Sequence, residues 1–364
     1  MYRMRVGTTM RIAVIGAGVV GSTVAAHLAS MGHDVIVVEM GRRLRDIERR
    51  GLLVEGALAC TARPSSLYDR VEALAGSFLD WALICTKTYS LADLAPRLAA
   101  SLAGDVRVAA VQNGVDPEEL LAMHVGRRRT YRVLVNFAGS LTEEGSVRVC
   151  WAQPPNALGP LEQDQGEGAR LAEALTASGL STQPLHPEET KKEAFRRAIL
   201  SAALAPVCAL TGLPMGAAMR LPAIRSLAER LAHEGFAVAQ KLGYSFGPDA
   251  VASCLRYLEA GGNHMPSMWW DLLHNGRTEI EAISGRIAAL GAQLGVDVTA
   301  NSTLHALIVA REHHVSTRIG VDAPCPVHDG EQHGDPFAAE LSGHTAERSM
   351  PDKHGFSSGK TRRP

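Results

Sequence analysis

The sequence predicts an α/β fold in which an N-terminal doubly wound parallel sheet is followed by an all-helical domain. Short apolar runs alternate with helical patterns as far as residue 111, which is typical of a parallel sheet with crossover helices. From residue 169 onward, apolar residues recur almost only at helical spacing. We therefore predict a sheet domain at residues 10–165, a helical domain at residues 166–318 and a disordered tail at residues 319–364.

The first element is a strand, Ile12 to Ile15, that turns directly into a glycine-rich loop. Gly16, Gly18 and Gly21 have G-x-G-x-x-G spacing. The first glycine permits a tight turn, the second lets backbone N–H groups approach a pyrophosphate, and the third lets the next helix pack on the strand. An ordinary glycine turn is the alternative, but the flanking strand and helix favour a Rossmann-type dinucleotide site.

The helix and strand that follow complete this pattern. Val19 and Val20 start the helix, whose first N–H groups and positive dipole end favour phosphate. The second strand, residues 34–38, ends at Glu39, which lies 21 residues after Gly18. A carboxylate about 20 residues past the glycine motif binds the adenosine ribose in such sites. We predict that Val19, Val20 and Glu39 contact the cofactor.

The remaining elements continue the alternation. We predict a basic helix at residues 41–50, a strand at residues 52–55, and strands at residues 81–86 and 106–111 with a helix at residues 91–102 between them. The β-rich segment at residues 131–158 should finish the sheet in antiparallel fashion. One core-facing helix is predicted from apolar residues at steps of three and four, namely Ile280, Ile283, Ile287, Leu290 and Leu294.

Composition limits the class of partner. The 364 residues are 46% hydrophobic, which is enough for two domains, and 37 Lys and Arg residues face 38 Asp and Glu residues. This balance favours neither nucleic acid nor an anionic membrane, so we expect a small-molecule substrate. Six cysteines without a C-x-x-C pair, and an N-terminus without a secretory signal, predict a cytoplasmic protein.

Two segments invite other readings. Residues 198–219 carry no charge over the length of a membrane span, but their alanines, glycines and prolines favour a buried helix followed by a turn. The histidines from residue 313 onward match no tight ligand spacing, so we predict no metal site there or elsewhere.

Polar residues that follow the strands are the candidates for chemistry, because ligands of doubly wound sheets bind at the carboxyl ends of the strands. Lys87 follows the strand at residues 81–86, and Asn113 follows the strand at residues 106–111 within a Gln-Asn-Gly turn. Lys87 is a candidate partner of the cofactor or of a substrate carboxylate, and Asn113 offers an amide near the nicotinamide. A solvated lysine and an ordinary Asn-Gly turn are the alternatives.

The motifs taken together resemble the ketopantoate reductase family, also called 2-dehydropantoate 2-reductases. The resemblance is carried, in this order, by Gly16–Gly21, Cys85–Lys87, Val111–Val115, Ala209–Gly216, Pro266–Met268 and Gly276–Ile280. It implies NADPH-dependent reduction of a 2-oxo acid between the two domains, and a place in pantothenate biosynthesis. It also implies that Lys87 and Asn113 contact cofactor and substrate, that Ser267 binds substrate and that Glu279 is the active-site glutamate.

One wall of the implied site departs from the family pattern. The family's catalytic lysine falls on Arg197, and its two substrate-binding asparagines fall on Ser201 and Ala205. Spacing of four keeps all three on one helical face. An arginine stays charged and cannot act as a general acid at neutral pH, although it polarises a carbonyl or clamps a carboxylate. The proton would then come from Glu279, His264 or water.

These replacements leave alternatives open. A hydroxyl and a methyl group in place of two amides predict a substrate that is larger or less polar than ketopantoate. If the helical register is different, Arg197 is a surface residue and Lys192 takes the catalytic role.

Cofactor choice is also open. The family's arginine just past the second strand falls on Met40, and Glu39 suits the free 2′-hydroxyl of NAD, while Arg42 and Arg43 suit the 2′-phosphate of NADP. From the resemblance we expect NADP, with NAD as the alternative.

The predicted function is NAD(P)H-dependent reduction of a 2-oxo acid by a possible homodimer, with Arg197 and Glu279 as catalytic residues. Asn113, Ser201 and Ser267 are the predicted substrate-binding residues. The alternatives are a related enzyme that acts on another carbonyl or an imine in specialised metabolism, and a nucleotide-binding regulatory protein without turnover.

Overall fold

The N-terminal half of the protein is a mainly parallel sheet with helices on both faces. The structure is a computed structural model and describes residues 9–274 and 276–317. The strands are β1 (Arg11–Ile15), β2 (Asp34–Val38), β3 (Leu52–Gly56), β4 (Cys60–Ala62), β5 (Ser66–Tyr68), β6 (Trp81–Ile84), β7 (Arg107–Ala110), β8 (Thr130–Leu134), β9 (Phe137–Leu141), β10 (Val147–Ala152), β11 (Asn156–Pro160) and β12 (Thr182–Pro184). The helices are α1 (Val19–Ser30), α2 (Gly41–Arg50), α3 (Leu91–Ser101), α4 (Pro117–Val125), α5 (Glu167–Ala177), α6 (Pro187–Thr211), α7 (Met215–Met219), α8 (Pro222–Lys241), α9 (Ala250–Glu259), α10 (Ser267–Leu273), α11 (Ser284–Leu294) and α12 (Thr299–Thr317).

The main sheet has the strand order β12-β11-β8-β7-β6-β1-β2-β5. All of its pairs are parallel except the pair of β11 with β8. The chain winds from β1 through β2 to β5 on one side, and then resumes at β6 on the other side of β1. The crevice where ligands bind to such sheets therefore lies at the carboxyl ends of β1 and β6. The predicted fold class is confirmed.

The residues of β1 explain why this sheet is covered on both faces. Ile12 and Val14 pack in the core under α1 and α5, whereas Ala13 and Ile15 pack in the core under α3 and α4. All four are at most 3% exposed. A strand buried on both faces needs a continuous apolar run rather than an alternating one, which is what this segment has.

The strand predicted at residues 52–55 is confirmed as β3, but the structure corrects the prediction that residues 131–158 finish the main sheet in antiparallel fashion. From the middle of that segment, β9 and β10 join β3 in a second sheet with the order β4-β3-β10-β9, which packs on α1. β8 also runs parallel to β7, because α4 carries the chain back to the other end of the sheet before β8 begins. Only β11 adds to the main sheet in the predicted antiparallel fashion.

The helical half is organised around α6, which packs against α8, α10 and α12. By length and composition α6 is apolar enough to cross a membrane, but 61% of its most apolar window is buried inside the protein. It ends at Gly212, whose φ of +71° closes the helix, and Pro214 precedes α7. The predicted buried helix followed by a turn is therefore confirmed for residues 198–219.

The predicted single helix from Ile280 to Leu294 is wrong. A 3₁₀ turn covers residues 280–282, and α11 begins only after Ile283, which has φ −106° and ψ −96°. The carbonyl of Ala282 accepts a hydrogen bond from Val115 N–H at 2.8 Å, so this segment is bound to the loop after β7. The apolar stripe still faces the core, since Ile280, Ile283 and Ile287 are at most 5% exposed.

The described residues up to 317 lie in one compact unit, residues 1–319. The boundary between residues 165 and 166 stays a prediction, and β12, which follows it in the chain, pairs with β11 of the main sheet. The tail predicted from residue 319, with its histidines, lies outside the described residues.

A buried ion pair lies beneath the loop after β7. Arg132 on β8 donates to Glu118 on α4 at 2.8 Å and to the carbonyl of Gly114 at 3.1 Å. Their side chains are 1% and 2% exposed. Burial raises the pKa of the Glu118 carboxyl, and the Arg132 charge opposes this rise without cancelling it.

We predict that Arg132→Met lowers the free energy of unfolding by about 3–5 kcal/mol, because it leaves the Glu118 carboxyl buried without its cation. Urea unfolding at neutral pH measures this loss. Arg107→Met is the control, because Arg107 forms a 2.9 Å pair with Glu167 whose side chains are 31% and 20% exposed. That pair should contribute about 0–1 kcal/mol. Equal losses in the two variants would contradict the assignment.

Candidate active site

The glycine-rich loop after β1 has the geometry of a phosphate-binding turn. Gly16 has φ +92°, and a side chain there would lie 2.8 Å from the backbone nitrogen of Thr86. A side chain at Gly21 would lie 1.8 Å from the carbonyl oxygen of Gly16. At Gly18, by contrast, a Cβ atom would meet nothing within 4 Å. The first and third glycines are therefore required by packing, while the second faces open space that suits a pyrophosphate.

Two charged side chains hold this loop against β2 and α2. Glu39 accepts from the backbone N–H of Ala17 at 2.6 Å and from that of Met40 at 2.7 Å. Arg43 donates to the carbonyl of Ala17 at 2.8 Å and to the hydroxyl of Ser22 at 2.7 Å, and it also binds the carbonyl of Gly145. Burial lowers the pKa of the Arg43 guanidinium, with nearby carboxylates opposing the shift.

Arg42 differs from its neighbour in exposure. Its side chain is 77% exposed, 3.7 Å from Asp46, and it donates to the carbonyl of Glu143 at 3.1 Å. Of the two arginines predicted to suit a 2′-phosphate, Arg42 therefore keeps an accessible guanidinium, whereas Arg43 is used to hold the loop.

A charged cluster connects the end of β6 to the helical half. Lys87 lies 2.6 Å from a carboxylate oxygen of Asp271 on α10 and 3.9 Å from one of Glu279. Glu279 also accepts from the backbone N–H of Thr88 at 3.0 Å. The structure thus brings together two of the predicted site residues, one from each half of the chain.

The cluster has one cation for two carboxylates, and burial raises the proton affinity of both acids. The pKa of Glu279 is raised by burial, with the Lys87 charge opposing, and the pKa of Asp271 is raised in the same way. Burial lowers the pKa of the Lys87 ammonium, but Glu279 and Asp271 outweigh this effect and the net shift is upward. Lys87 therefore stays charged, and buried Glu279 is suited to hold a proton.

The Gln-Asn-Gly turn after β7 packs against the helical half. A Cβ atom on Gly114 would lie 2.8 Å from the Cβ of Ala282, and the next residue, Val115, donates to the Ala282 carbonyl. Asn113 is exposed at this turn, while Gln112 is buried. Asn113 thus directly precedes Gly114, which contacts the segment that carries Glu279.

Arg197 reaches the same edge of the sheet from α6. Its guanidinium binds the carbonyl of Val135, directly after β8, and donates to Glu193 at 3.1 Å. Burial lowers the pKa of this guanidinium, with the Glu193 charge opposing, but arginine remains charged at neutral pH. Lys192 instead has its ammonium 5.4 Å from the ring centroid of Phe246.

The remaining predicted substrate-binding residues flank these groups. Ser201 and Ala205 are half-buried on α6 one and two turns beyond Arg197, and Ser267 is exposed at the start of α10. Ser267 lies one turn before Asp271 on the same helix, so the two share a helical face.

Sequence reasoning missed Asp271 and Glu193, which pair with Lys87 and Arg197. Helical spacing could have identified both residues, because Glu193 lies four residues before Arg197 and Asp271 lies four residues after Ser267. The contact of Arg197 with the Val135 carbonyl could not be predicted from the sequence, because every residue type has a main-chain carbonyl.

Comparison with known proteins covers most of the chain. Residues 12–162 match the family described as "Ketopantoate reductase PanE/ApbA", and residues 189–312 match "Ketopantoate reductase PanE/ApbA C terminal". The 2-dehydropantoate 2-reductase of Archaeoglobus fulgidus is 29% identical over 305 residues, 82% of this chain and 96% of that protein. That of Pyrococcus horikoshii is 27% identical over 304 residues, 83% and 98% of the respective chains.

Solved structures show the same architecture. A PanE/ApbA family ketopantoate reductase from Ralstonia eutropha JMP134 superposes with a TM-score of 0.76 at 27% identity, covering 84% of this chain and 100% of that one. D-mandelate dehydrogenase, solved with NADH and anilino(oxo)acetate, gives a TM-score of 0.75 at 22% identity, covering 84% of this chain and 100% of that one. At that identity the second likeness shows the fold alone.

We predict that Gly18→Val folds normally but loses dinucleotide affinity, because its side chain would fill the open space before α1. Gly18 has φ −65° and ψ −160°, which valine adopts without strain. Gly21→Ala is the contrasting variant and should lose about 1–3 kcal/mol of stability through its clash with the Gly16 carbonyl. Urea unfolding and titration with NADH and NADPH measure both effects. Unchanged affinity of folded Gly18→Val for both NADH and NADPH would contradict the assignment of this loop to dinucleotide binding.

Proposed function

This chain belongs to the ketopantoate reductase family, and from this premise we propose that it reduces a 2-oxo acid to a 2-hydroxy acid with NAD(P)H. The observation that carries the proposal is the meeting of Lys87 from the sheet half with Asp271 and Glu279 from the helical half. This charged cluster lies beside the carboxyl ends of β1 and β6, where doubly wound sheets bind their ligands.

The glycine loop fits the dinucleotide that the family uses. Gly16, Gly18 and Gly21 shape the turn, and the first N–H groups of α1 at Val19 and Val20 favour the pyrophosphate. When bound, the reduced nicotinamide supplies the hydride. The protein contributes binding, orientation and charge around it.

We propose NADP as the cofactor, with Arg42 as the partner of its 2′-phosphate. The exposed guanidinium of Arg42 supports this choice, as does the engagement of the Glu39 carboxylate with the N–H of Ala17. NAD is the alternative, in which Glu39 leaves that N–H and accepts from the ribose 2′-hydroxyl.

The roles of the remaining residues follow from their charge and position. Arg197 polarises the substrate carbonyl, since it is a fixed cation at the end of β8. Glu279 holds the proton that the reduced oxygen takes up, because burial raises its pKa. Lys87, Asn113, Ser201 and Ser267 bind the carboxylate and the carbonyl oxygen of the substrate.

A related enzyme that acts on another carbonyl or on an imine is the second candidate. The observation that favours it is the chemistry of α6, where Arg197, Ser201 and Ala205 present a guanidinium, a hydroxyl and a methyl group. Oxidation of NADPH or NADH that depends on an added 2-oxo acid decides between the two candidates, and also between turnover and mere nucleotide binding. A cytoplasmic location and a homodimer remain predictions.

Cofactor preference gives the first test. We predict that Arg42→Ala weakens NADPH binding by about tenfold and leaves NADH binding unchanged, because only the 2′-phosphate reaches this guanidinium. Glu39→Ala should weaken NADH binding more than NADPH binding, because the loss of the Ala17 contact affects both cofactors and only NADH also loses a ribose partner. Titration of the purified variants measures all four affinities. The NADP assignment fails if Arg42→Ala binds NADPH as the unmutated protein does and Glu39→Ala loses affinity for NADH.

The role of Arg197 gives the second test. We predict that Arg197→Ala lowers kcat by a factor on the order of a hundred to a thousand with nearly unchanged cofactor affinity, because charge builds up on the carbonyl oxygen in the transition state. Lys192→Ala is the control, since Lys192 lies over Phe246. Native rates in Arg197→Ala combined with an inactive Lys192→Ala would show that the catalytic cation lies one turn earlier.

Arg197→Lys separates the two candidate functions. A lysine should retain or improve the reduction of ketopantoate if the pocket keeps the family chemistry. If the site is built for another substrate, the loss of the bidentate guanidinium lowers activity on that substrate.

A further inference from the structure

Three aromatic rings form a cluster between the second sheet and the helical half. Trp151 on β10 lies edge-on to Tyr257 on α9, with ring centroids 6.3 Å apart and planes at 85°. Trp151 also stacks on His264, with centroids 6.2 Å apart and planes at 25°. All three side chains are half-buried, so each keeps part of its surface open. We call this the aromatic wall.

Strand pairing connects the aromatic wall to the backbone that holds Arg197. Trp151 pairs in register with Ala138 on β9, three residues after the Val135 carbonyl that Arg197 binds. Burial raises the pKa of the Tyr257 phenol, and the positive charges of Arg197 and Arg196 act in the opposite direction. The strand that carries Trp151 is therefore paired with the strand that begins two residues after the carbonyl that holds Arg197.

The other side of the aromatic wall leads to Ser267. His264 lies three residues before Ser267, and its backbone is fixed by its N–H to Gly261 at 3.0 Å and by its carbonyl to Met215 at 3.0 Å. The His264 ring therefore lies on the segment that leads into α10 and Ser267. A substrate held by both of these groups would extend along the rings.

The three rings of the wall offer a ligand no charge at neutral pH. Burial lowers the pKa of His264, so its ring is neutral at neutral pH. Ser201 and Ala205, one and two turns beyond Arg197, add a hydroxyl and a methyl group. A hydroxylated aliphatic substituent would lose its water here and find few hydrogen-bond partners in exchange. An aromatic substituent would instead gain contacts with the rings.

We propose that Trp151, Tyr257 and His264 bind the substituent of the substrate and that this substituent is aromatic. The inference rests on the proposed function, because it names the class of 2-oxo acid that the enzyme reduces. The carboxylate and carbonyl lie toward the charged groups, and the aromatic ring lies against the wall.

The test begins with the full-length protein and a panel of substrates. Initial rates of reduced-cofactor oxidation are measured with ketopantoate, 2-oxoisovalerate, phenylpyruvate and phenylglyoxylate, with NADPH and with NADH. We expect kcat/KM for the better aromatic acid to exceed that for ketopantoate by about tenfold or more, which is the upper range of one favourable ring contact.

Two variants assign this preference to the aromatic wall. Tyr257→Leu and Trp151→Leu should each lower the ratio of aromatic to aliphatic kcat/KM by about tenfold, mainly through KM, while Tyr257→Phe retains the ratio. Tyr244→Leu is the matched control, because Tyr244 is a half-buried tyrosine of the same half whose ring packs on Phe195, 5.9 Å between centroids. It should leave the ratio unchanged.

The outcomes separate this inference from the proposed function. A protein that reduces ketopantoate and 2-oxoisovalerate better than both aromatic acids overturns the aromatic assignment and leaves the proposed function standing. A protein that oxidises cofactor with none of the four acids overturns both. An aromatic preference that survives in folded Tyr257→Leu and Trp151→Leu shows that other residues bind the ring, and so overturns the role of the wall.

Discussion

The carboxyl edge of the parallel sheet is the constraint on which the rest of this molecule depends. Because β1, β2, β6, β7 and β8 all run in one direction, the loops after them meet along a single edge. That edge receives the glycine loop, Lys87, the Gln-Asn-Gly turn and the Val135 carbonyl. The helical half contacts every one of these last three features, so the two halves meet where the strand ends have already gathered polar groups.

Charge pairing holds the two halves in register along that edge. Besides the contacts of Lys87, Arg286 pairs with Asp116 at 3.0 Å and Lys191 pairs with Glu119 at 3.0 Å, and both pairs cross between the halves. Partly exposed pairs of this kind contribute little to stability, so their effect is on alignment. The buried pair beneath the Gln-Asn-Gly turn is different, because its loss would leave a charge without a partner in the protein interior.

In the mechanism that we propose, two tasks are divided between separate residues. Arg197 supplies a permanent positive charge from α6, where Glu193 and the Val135 carbonyl fix its guanidinium. Glu279, buried beside Lys87, has the raised pKa that suits proton storage. A single lysine is able to do both tasks, whereas an arginine is restricted to the first. The replacement at residue 197 therefore gives the carboxyl at residue 279 a larger part in the chemistry that we propose.

The sequence by itself determined the segments whose structure is local. The run from Ile12 to Glu39 predicted β1, the glycine loop, α1 and β2, because spacing, helix termination and the glycine φ angles are properties of neighbouring residues. Tertiary structure alone decided which partners distant segments have. β3 pairs with strands of a second sheet, and the predicted helix from Ile280 is interrupted where Val115 donates to the Ala282 carbonyl. Arg43 binds the glycine loop instead of pointing into solvent. The physical reason is that strand pairing, main-chain acceptors and long side chains choose among partners far apart in the chain, and the sequence pattern of one segment does not contain that choice.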